Sequence, residues 1–362
     1  MKITPIPNFG SFGAYIDDVD MSYMDDETWN YLGRIFVDKL VVVFRNIKMS
    51  KSQYLDWMPK WGPLKANIRA HFTEKYGRDF DATRPETWAG VGVSDRDRRW
   101  LETRKWQLEE SGDGRYLTRI YGRKDAEGHS LGYFSHGEVY WHSNECSTLT
   151  FSPAVSLLGW QHMSGSATGF VHTIDLYESL SNSFRSELDE MVLIHRYERG
   201  RMNENEYTDD DLALHMQMAF CPVDDAETPL VCTAPNGRRG LHYSLNTRAE
   251  IKGLTSEQSQ ALFDKLDQMI FDKKWVYDHY YQNDNDLVIF DNSVTLHRRL
   301  GGDPDRKAFR MQFDLSPLLD KPWLPWKHLE PYNTEYIKQT HELVNIVGGD
   351  LQTRFKLPEY VS

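Results

Sequence analysis

At 362 residues, 40% of them hydrophobic and 27% charged, the chain is long enough to bury a sizeable core and polar enough to cover it, which excludes a disordered polymer. A net charge of −12 excludes a protein whose main partner is a phosphate backbone, because such binding needs a basic face, and it favours a small-molecule partner over nucleic acid. The three cysteines, Cys146, Cys221 and Cys232, stand far apart with no CxxC pair, so neither a disulfide framework nor a zinc finger is expected and the compartment reads as reducing.

The opening Met-Lys-Ile-Thr-Pro-Ile-Pro has no basic stretch followed by an apolar one, and no later run reaches the length of a membrane span. A cytoplasmic protein without a membrane partner is therefore expected. A short strand is predicted around Ala14 to Ile16, then a helix whose polar start is Asp25-Asp26-Glu27, then a buried strand from Leu40 to Phe44, giving a β-α-β opening. Lys51 to Trp61 reads as helical. From about Leu64 to Gly114 the pattern degrades into a polar, aromatic-rich stretch, taken as an insertion or lid, with a mixed-charge helix expected from Asp97 to Glu110.

Strands are expected from Tyr116 to Tyr121 and from Gly132 to His142, around the turn residues Asp125-Ala126-Glu127-Gly128. Helices are expected over Leu180 to Leu193 and over Thr255 to Phe271, the second with Leu262, Leu266 and Ile270 on one face. Short strands follow at Leu230 to Cys232, Gly240 to Tyr243, Asp286 to Phe290 and Arg310 to Phe313. Many short strands with a few outer helices predict one mainly β domain over residues 1–362, with flanking helices around a jelly-roll core. No GxGxxG follows a strand and no Walker A sequence occurs, so nucleotide-binding folds lack support. An assembly of identical chains is left open.

Non-haem Fe(II) oxygenases hold their metal on one face with two imidazoles and a carboxylate, leaving the other face for a co-substrate and dioxygen. His142 ends a predicted strand, and His297 follows the strand Asp286 to Phe290 through Asp291-Asn292. Either histidine alone is as compatible with a structural role. Together with their surroundings they say more. Trp141-His142-Ser143-Asn144, Pro153-Ala154, Thr168, the helix start Leu176 to Ser181, and Asp286 to Asn292 with His297 resemble, in order and spacing, the TauD/TfdA family of Fe(II)- and 2-oxoglutarate-dependent dioxygenases. Leu40 to Arg45 resembles that family's opening strand, and residues 64–114 are the part least matched.

The resemblance implies a double-stranded β-helix, the cupin-like form of the jelly roll, with His142, His297 and the position of Asn144 as the metal set. It implies Fe(II) and 2-oxoglutarate as cofactors, dioxygen as a partner, and hydroxylation of a small acid or amino-acid-like substrate. With 23 residues between Asn144 and Thr168 and 12 between His297 and Arg310, Thr168 and Arg310 take the places of the residues that grip the distal carboxylate of 2-oxoglutarate. Arg306 is the alternative to Arg310. Period-two alternation on one strand would put both on one face, the one left over holding a substrate anion.

The sequence departs from the family pattern at one position: Asn144 stands where a carboxylate belongs. Either Glu145 reaches the metal instead, or the position is open as in the family's halogenating relatives, or Asn144 serves as a weak ligand or neighbour in ordinary hydroxylation, or catalysis has been lost and a barrel-type binding protein remains. His136-Gly137-Glu138 offers a second His-x-Glu pair, too far from Thr168, and reads as a hairpin edge. Arg298 and Arg299 read as surface loop charge. Tyr140 and Trp141 read as core, with walls of a substrate pocket as the second reading.

Overall fold

The computed structural model describes residues 1–64, 76–77, 79–80, 84–95, 98, 101–102, 116–122, 138–144, 151–196 and 225–319. Most of the helix expected over 97–110, the turn at 125–128, His136, Glu145, Cys146 and Cys221 therefore lie outside the described residues. The strands are β1 (Lys2–Pro5), β2 (Ala14–Asp17), β3 (Val41–Phe44), β4 (Thr118–Tyr121), β5 (Val139–His142), β6 (Ala154–Gln161), β7 (Ala167–His172), β8 (Val192–Arg196), β9 (Asp225–Pro229), β10 (Val231–Thr233), β11 (Arg239–Leu241), β12 (Arg248–Ile251), β13 (Val276–Tyr280), β14 (Leu287–Asp291), β15 (Thr295–Arg299) and β16 (Lys307–Phe313).

Two of the sheets build the barrel. The larger runs β1-β2-β3-β14-β6-β16-β4, and the smaller runs β13-β7-β15-β5. Their facing sides enclose one apolar layer. Val41, Val43, Val155, Val288, Phe290 and Ala308 enter it from the larger sheet, and Phe170 and Tyr277 from the smaller. This double-stranded β-helix is mainly antiparallel, the parallel pair β2–β3 being the consequence of the β-α-β opening.

Helices cover both outer faces. In α1 (Asp26–Lys39), the Asp25 carboxylate accepts from Thr28 N–H at the N-terminus, and the last turn closes on Leu40 in the left-handed region, φ 60°. Trp29, Leu32 and Phe36 on its buried side meet Phe44, Leu158 and Ile289 on the outside of the larger sheet. Each such fully buried side chain contributes about 1.5–3 kcal/mol. The following helix, α2 (Lys51–Trp57), begins with a capping box between Ser50 and Gln53 and ends in a 3-10 turn through Lys60, close to the expected Lys51 to Trp61.

The run expected as one helix from Leu180 to Leu193 is three elements. Helix α3 (Ile174–Ser179) stops at Leu180, whose backbone is extended (ψ 155°), Ser181 caps α4 (Asn182–Asp189), and Leu193 lies in strand β8. By contrast α5 (Ser256–Ile270) has its expected bounds, with Thr255 and Gln258 forming a capping box. Phe263, Leu266 and Ile270 pack on the outer face of the smaller sheet against Trp141, Val171 and Leu296, while Leu262 is half-buried.

Candidate active site

Strand pairing places the site. Across the smaller sheet, one inward rung consists of Tyr277, Phe170, His297 and His142. Two residues along each strand, the next inward rung holds His279, Thr168 and Arg299. The outward rung between them, Asp278, Gly169 and Arg298, carries an ion pair across the middle strand: Arg298 Nη2 lies 3.2 Å from Asp278 Oδ1. A Cβ at Gly169 would sit 2.5 Å from Asp278 Oδ1, so the glycine makes room for this bridge. Arg298 also covers Trp141, its guanidinium carbon 4.4 Å from the ring centre. Arg298 and Arg299 are thus strand residues, not loop charge, because β15 runs to Arg299.

His142 and His297 face each other directly, with ring centres 4.0 Å apart and planes at 46°. Both are nearly fully buried, 8% and 7% exposed. His142 Nδ1 lies 2.7 Å from the Tyr140 carbonyl, which can only accept, so Nδ1 carries the proton and Nε2 presents a lone pair. Burial pushes His142 down to about 4, with the nearby Arg310 and Arg299 charges adding to it. Burial, the other imidazole and Arg310 hold His297 well below its ordinary value. Two neutral imidazoles are the metal-binding form of histidine.

Asn144, 6% exposed, follows His142 by two residues. Its Oδ1 accepts from Arg310 Nη1 at 3.5 Å, a long contact, and its Nδ2 is buried without a hydrogen-bond partner among the described residues. Its backbone is held firmly. Asn292 Oδ1 accepts from Asn144 N–H (2.8 Å), and Asn292 Nδ2 donates to the carbonyls of Asn144 (2.8 Å) and Ser152 (2.9 Å). Asn292→Ala is expected to strip partners from three buried backbone groups and cost about 3 kcal/mol, measurable by urea unfolding.

The two arginines occupy different depths. Arg310 lies on β16 with its neighbours Phe309 and Met311 in the outer core and Ala308 in the inner one, so it faces the barrel interior near the two histidines. Arg306, 3% exposed, comes one residue before β16 starts, in a turn where its N–H and Nη1 both donate to the Asp303 carbonyl. The two are therefore not on one strand as expected. The loop leading to Arg306 leaves β15 beside Thr168: Leu300 N–H donates to Ala167 O, and a Cβ at Gly302 would lie 2.3 Å from Ser166 Oγ. The backbone of Arg306 thus lies at the barrel end where β7 begins, whereas the Arg310 side chain reaches Asn144.

Thr168, 8% exposed, has its Oγ1 3.3 Å from the hydroxyl of Tyr281, a residue that carried no signal in the sequence. Trp141 is core, stacked on Phe271 at 5.3 Å, whereas Tyr140 is 43% exposed. The buried His297 Nδ1 has no hydrogen-bond partner among the described residues, and such an atom calls for a ligand or water. Two neutral, nearly fully buried imidazoles with ring centres 4.0 Å apart fit a divalent transition metal. No group of three or more His, Cys, Asp or Glu able to hold a metal occurs among the described residues.

A pair of facing, buried histidines inside a double-stranded β-helix is compatible with a metal-dependent barrel enzyme. The chain belongs to the taurine catabolism dioxygenase TauD, TfdA family, whose model matches residues 2–312, and with that membership come Fe(II) and 2-oxoglutarate as cofactors, dioxygen and a small-molecule substrate. It is 25% identical over 304 residues to the alpha-ketoglutarate-dependent 2,4-dichlorophenoxyacetate dioxygenase of Cupriavidus pinatubonensis, covering 82% of this chain and 92% of that one. Among solved structures it is similar to a putative alpha-ketoglutarate-dependent taurine dioxygenase from Burkholderia xenovorans (TM-score 0.57, 18% identity, 86% of this chain and 88% of that one). It is also similar to AAD-2 in complex with Mn(II) and N-oxalylglycine (TM-score 0.56, 18% identity, 86% and 97%). No helix among the described residues is long and apolar enough to cross a membrane.

Proposed function

We propose that the protein hydroxylates an unactivated C–H bond of a small acid or amino-acid-like substrate, with 2-oxoglutarate consumed to succinate and CO2. The observation that supports this most is the direct pairing of two neutral, buried imidazoles, His142 and His297, with ring centres 4.0 Å apart. These two would hold Fe(II), with Asn144 beside them. Iron, 2-oxoglutarate and dioxygen together supply the oxidising chemistry. The chain's own residues bind, orient and exclude water. Phe290 packs against His297 with ring centres 4.6 Å apart and Phe170 is the cross-strand partner of His297, so the surroundings of the imidazole are apolar.

The positions of the two arginines support a division of roles between them. Arg306, at the barrel end where β7 begins, suits the distal carboxylate of 2-oxoglutarate. Arg310 lies against Asn144 and suits the anionic group of the substrate acid. This reading takes Arg306, the alternative, ahead of the Arg310 that spacing favours. Arg306→Ala is expected to raise KM for 2-oxoglutarate about 10- to 100-fold, the worth of hydrogen bonds to a charged group. Arg310→Ala should instead raise KM for the substrate acid. Succinate formation across a panel of small acids measures both, and the opposite split would return the co-substrate to Arg310.

A halogenating variant is the second reading. It is favoured by the neutral amide at the third metal position, whose oxygen already accepts from Arg310.

A further inference from the structure

We infer that Tyr281 is a co-substrate-binding residue, its phenol and the Thr168 hydroxyl forming a donor pair for the distal carboxylate of 2-oxoglutarate. This rests on Thr168 standing at that carboxylate. Tyr281 directly follows β13 and is 3% exposed, within the inner apolar layer. Its N–H donates to Ser166 O (3.0 Å), and its ring meets His279 edge-on with centres 4.6 Å apart. Backbone and ring are thus both held, and the hydroxyl is aimed at Thr168 Oγ1, 3.3 Å away.

Proton counting makes this pair incomplete. Two hydroxyls carry two protons, and only one can lie between them. Neither Thr168 Oγ1 nor Tyr281 OH has another hydrogen-bond partner among the described residues. One donor is left to serve something else, and leaving it unserved in a buried site costs about 1–3 kcal/mol. Burial holds the phenol well above its ordinary range, so it stays a donor at any physiological pH. An acceptor without protons of its own, such as a carboxylate, completes the set.

The separation is right for the far end of the keto acid. Thr168 lies two residues along β7 from Phe170, the partner of His297, which is about 6.8 Å of strand and comparable to the reach of a five-carbon diacid whose other end is at the metal. The Arg306 backbone lies at the same end of the barrel. The nearby His279 has its Nδ1 3.0 Å from the Tyr277 hydroxyl and its Nε2 3.4 Å from Asp286 Oδ2 without a hydrogen bond between them, and its ring packs edge-on against Tyr281.

Calorimetric titration of the full-length, Mn(II)-loaded protein tests this with two probes. N-Oxalylglycine carries both the chelating head and the distal carboxylate, and oxamate carries the head alone. Tyr281→Phe is expected to weaken N-oxalylglycine about tenfold and leave oxamate unchanged, Thr168→Val to do the same, and the double variant to lose less than the product of the two. Wild-type affinity for N-oxalylglycine in Tyr281→Phe, with a loss in Thr168→Val, would overturn the inference and leave the role of Thr168 standing. Wild-type affinity in Thr168→Val, or no binding by the unsubstituted protein, would overturn the placement of the carboxylate itself. Equal weakening of both probes in Tyr281→Phe would reduce the residue to a packing role.

Discussion

His142→Ala and His297→Ala are each expected to abolish succinate formation and to weaken Mn(II) binding by more than the roughly 10- to 100-fold that loss of an outer partner costs a metal site. With the amide at position 144 contributing little, each imidazole is half of the nitrogen donor set proposed among the described residues, so one removal leaves a single imidazole there. Buried histidines elsewhere are the controls. His195 sits between the hydroxyls of Thr247 (2.9 Å) and Thr228 (2.8 Å), and His172 packs against Phe9 and Phe12. Substituting either should change stability without a selective loss of Mn(II) affinity. Turnover equal to the unsubstituted protein in either the His142 or the His297 variant would remove the proposed site.

That contrast shows what the sequence could and could not reveal. His142, His172, His195 and His297 all sit at buried strand positions, and nothing local distinguishes them. Only β15 pairing with β5 brings residues 142 and 297 to one rung, and register between strands so far apart is settled by the packing of the whole barrel. The resemblance to a known family supplied that pairing where periodicity had no access to it. Helix α5 was legible because its signals are local: a Thr-x-x-Gln capping box and apolar residues four apart. The run from Leu180 to Leu193 misled because Met191-Val-Leu-Ile continues the apolar pattern of a helix while forming a strand, an ambiguity that short apolar runs always carry. Arg299 was misplaced for a related reason. Two arginines next to each other suggest solvent, but alternation from His297 turns one of them inward, where its charge helps to keep His142 neutral. Tyr281 had no signal because its role depends on Thr168 across a strand pair.

Asn144→Asp is expected to tighten Mn(II) binding at least tenfold, or about 1.4 kcal/mol, while the unsubstituted protein already turns 2-oxoglutarate into succinate with the right small acid. A carboxylate there would complete the two-imidazole, one-carboxylate set. It would also meet Arg310, whose Nη1 lies 3.5 Å from the present amide oxygen, in a charge-assisted pair. The two gains compete, because a carboxylate drawn to Arg310 gives less to the metal. The substitution should therefore raise metal affinity more than it raises turnover, and raise KM for an acid substrate that relies on Arg310. Chloride discriminates the second reading. A halide needs an empty position at the metal, and the buried Asn144 side chain, whose backbone N–H and carbonyl Asn292 holds, would have to turn away to provide one. Hydroxylated product unaffected by added chloride is the expected outcome for the unsubstituted protein. Chlorinated product would show that the amide swings aside and would make Asn144 a gate for the halide, whereas succinate formed only by Asn144→Asp would mean that the amide disables the iron centre.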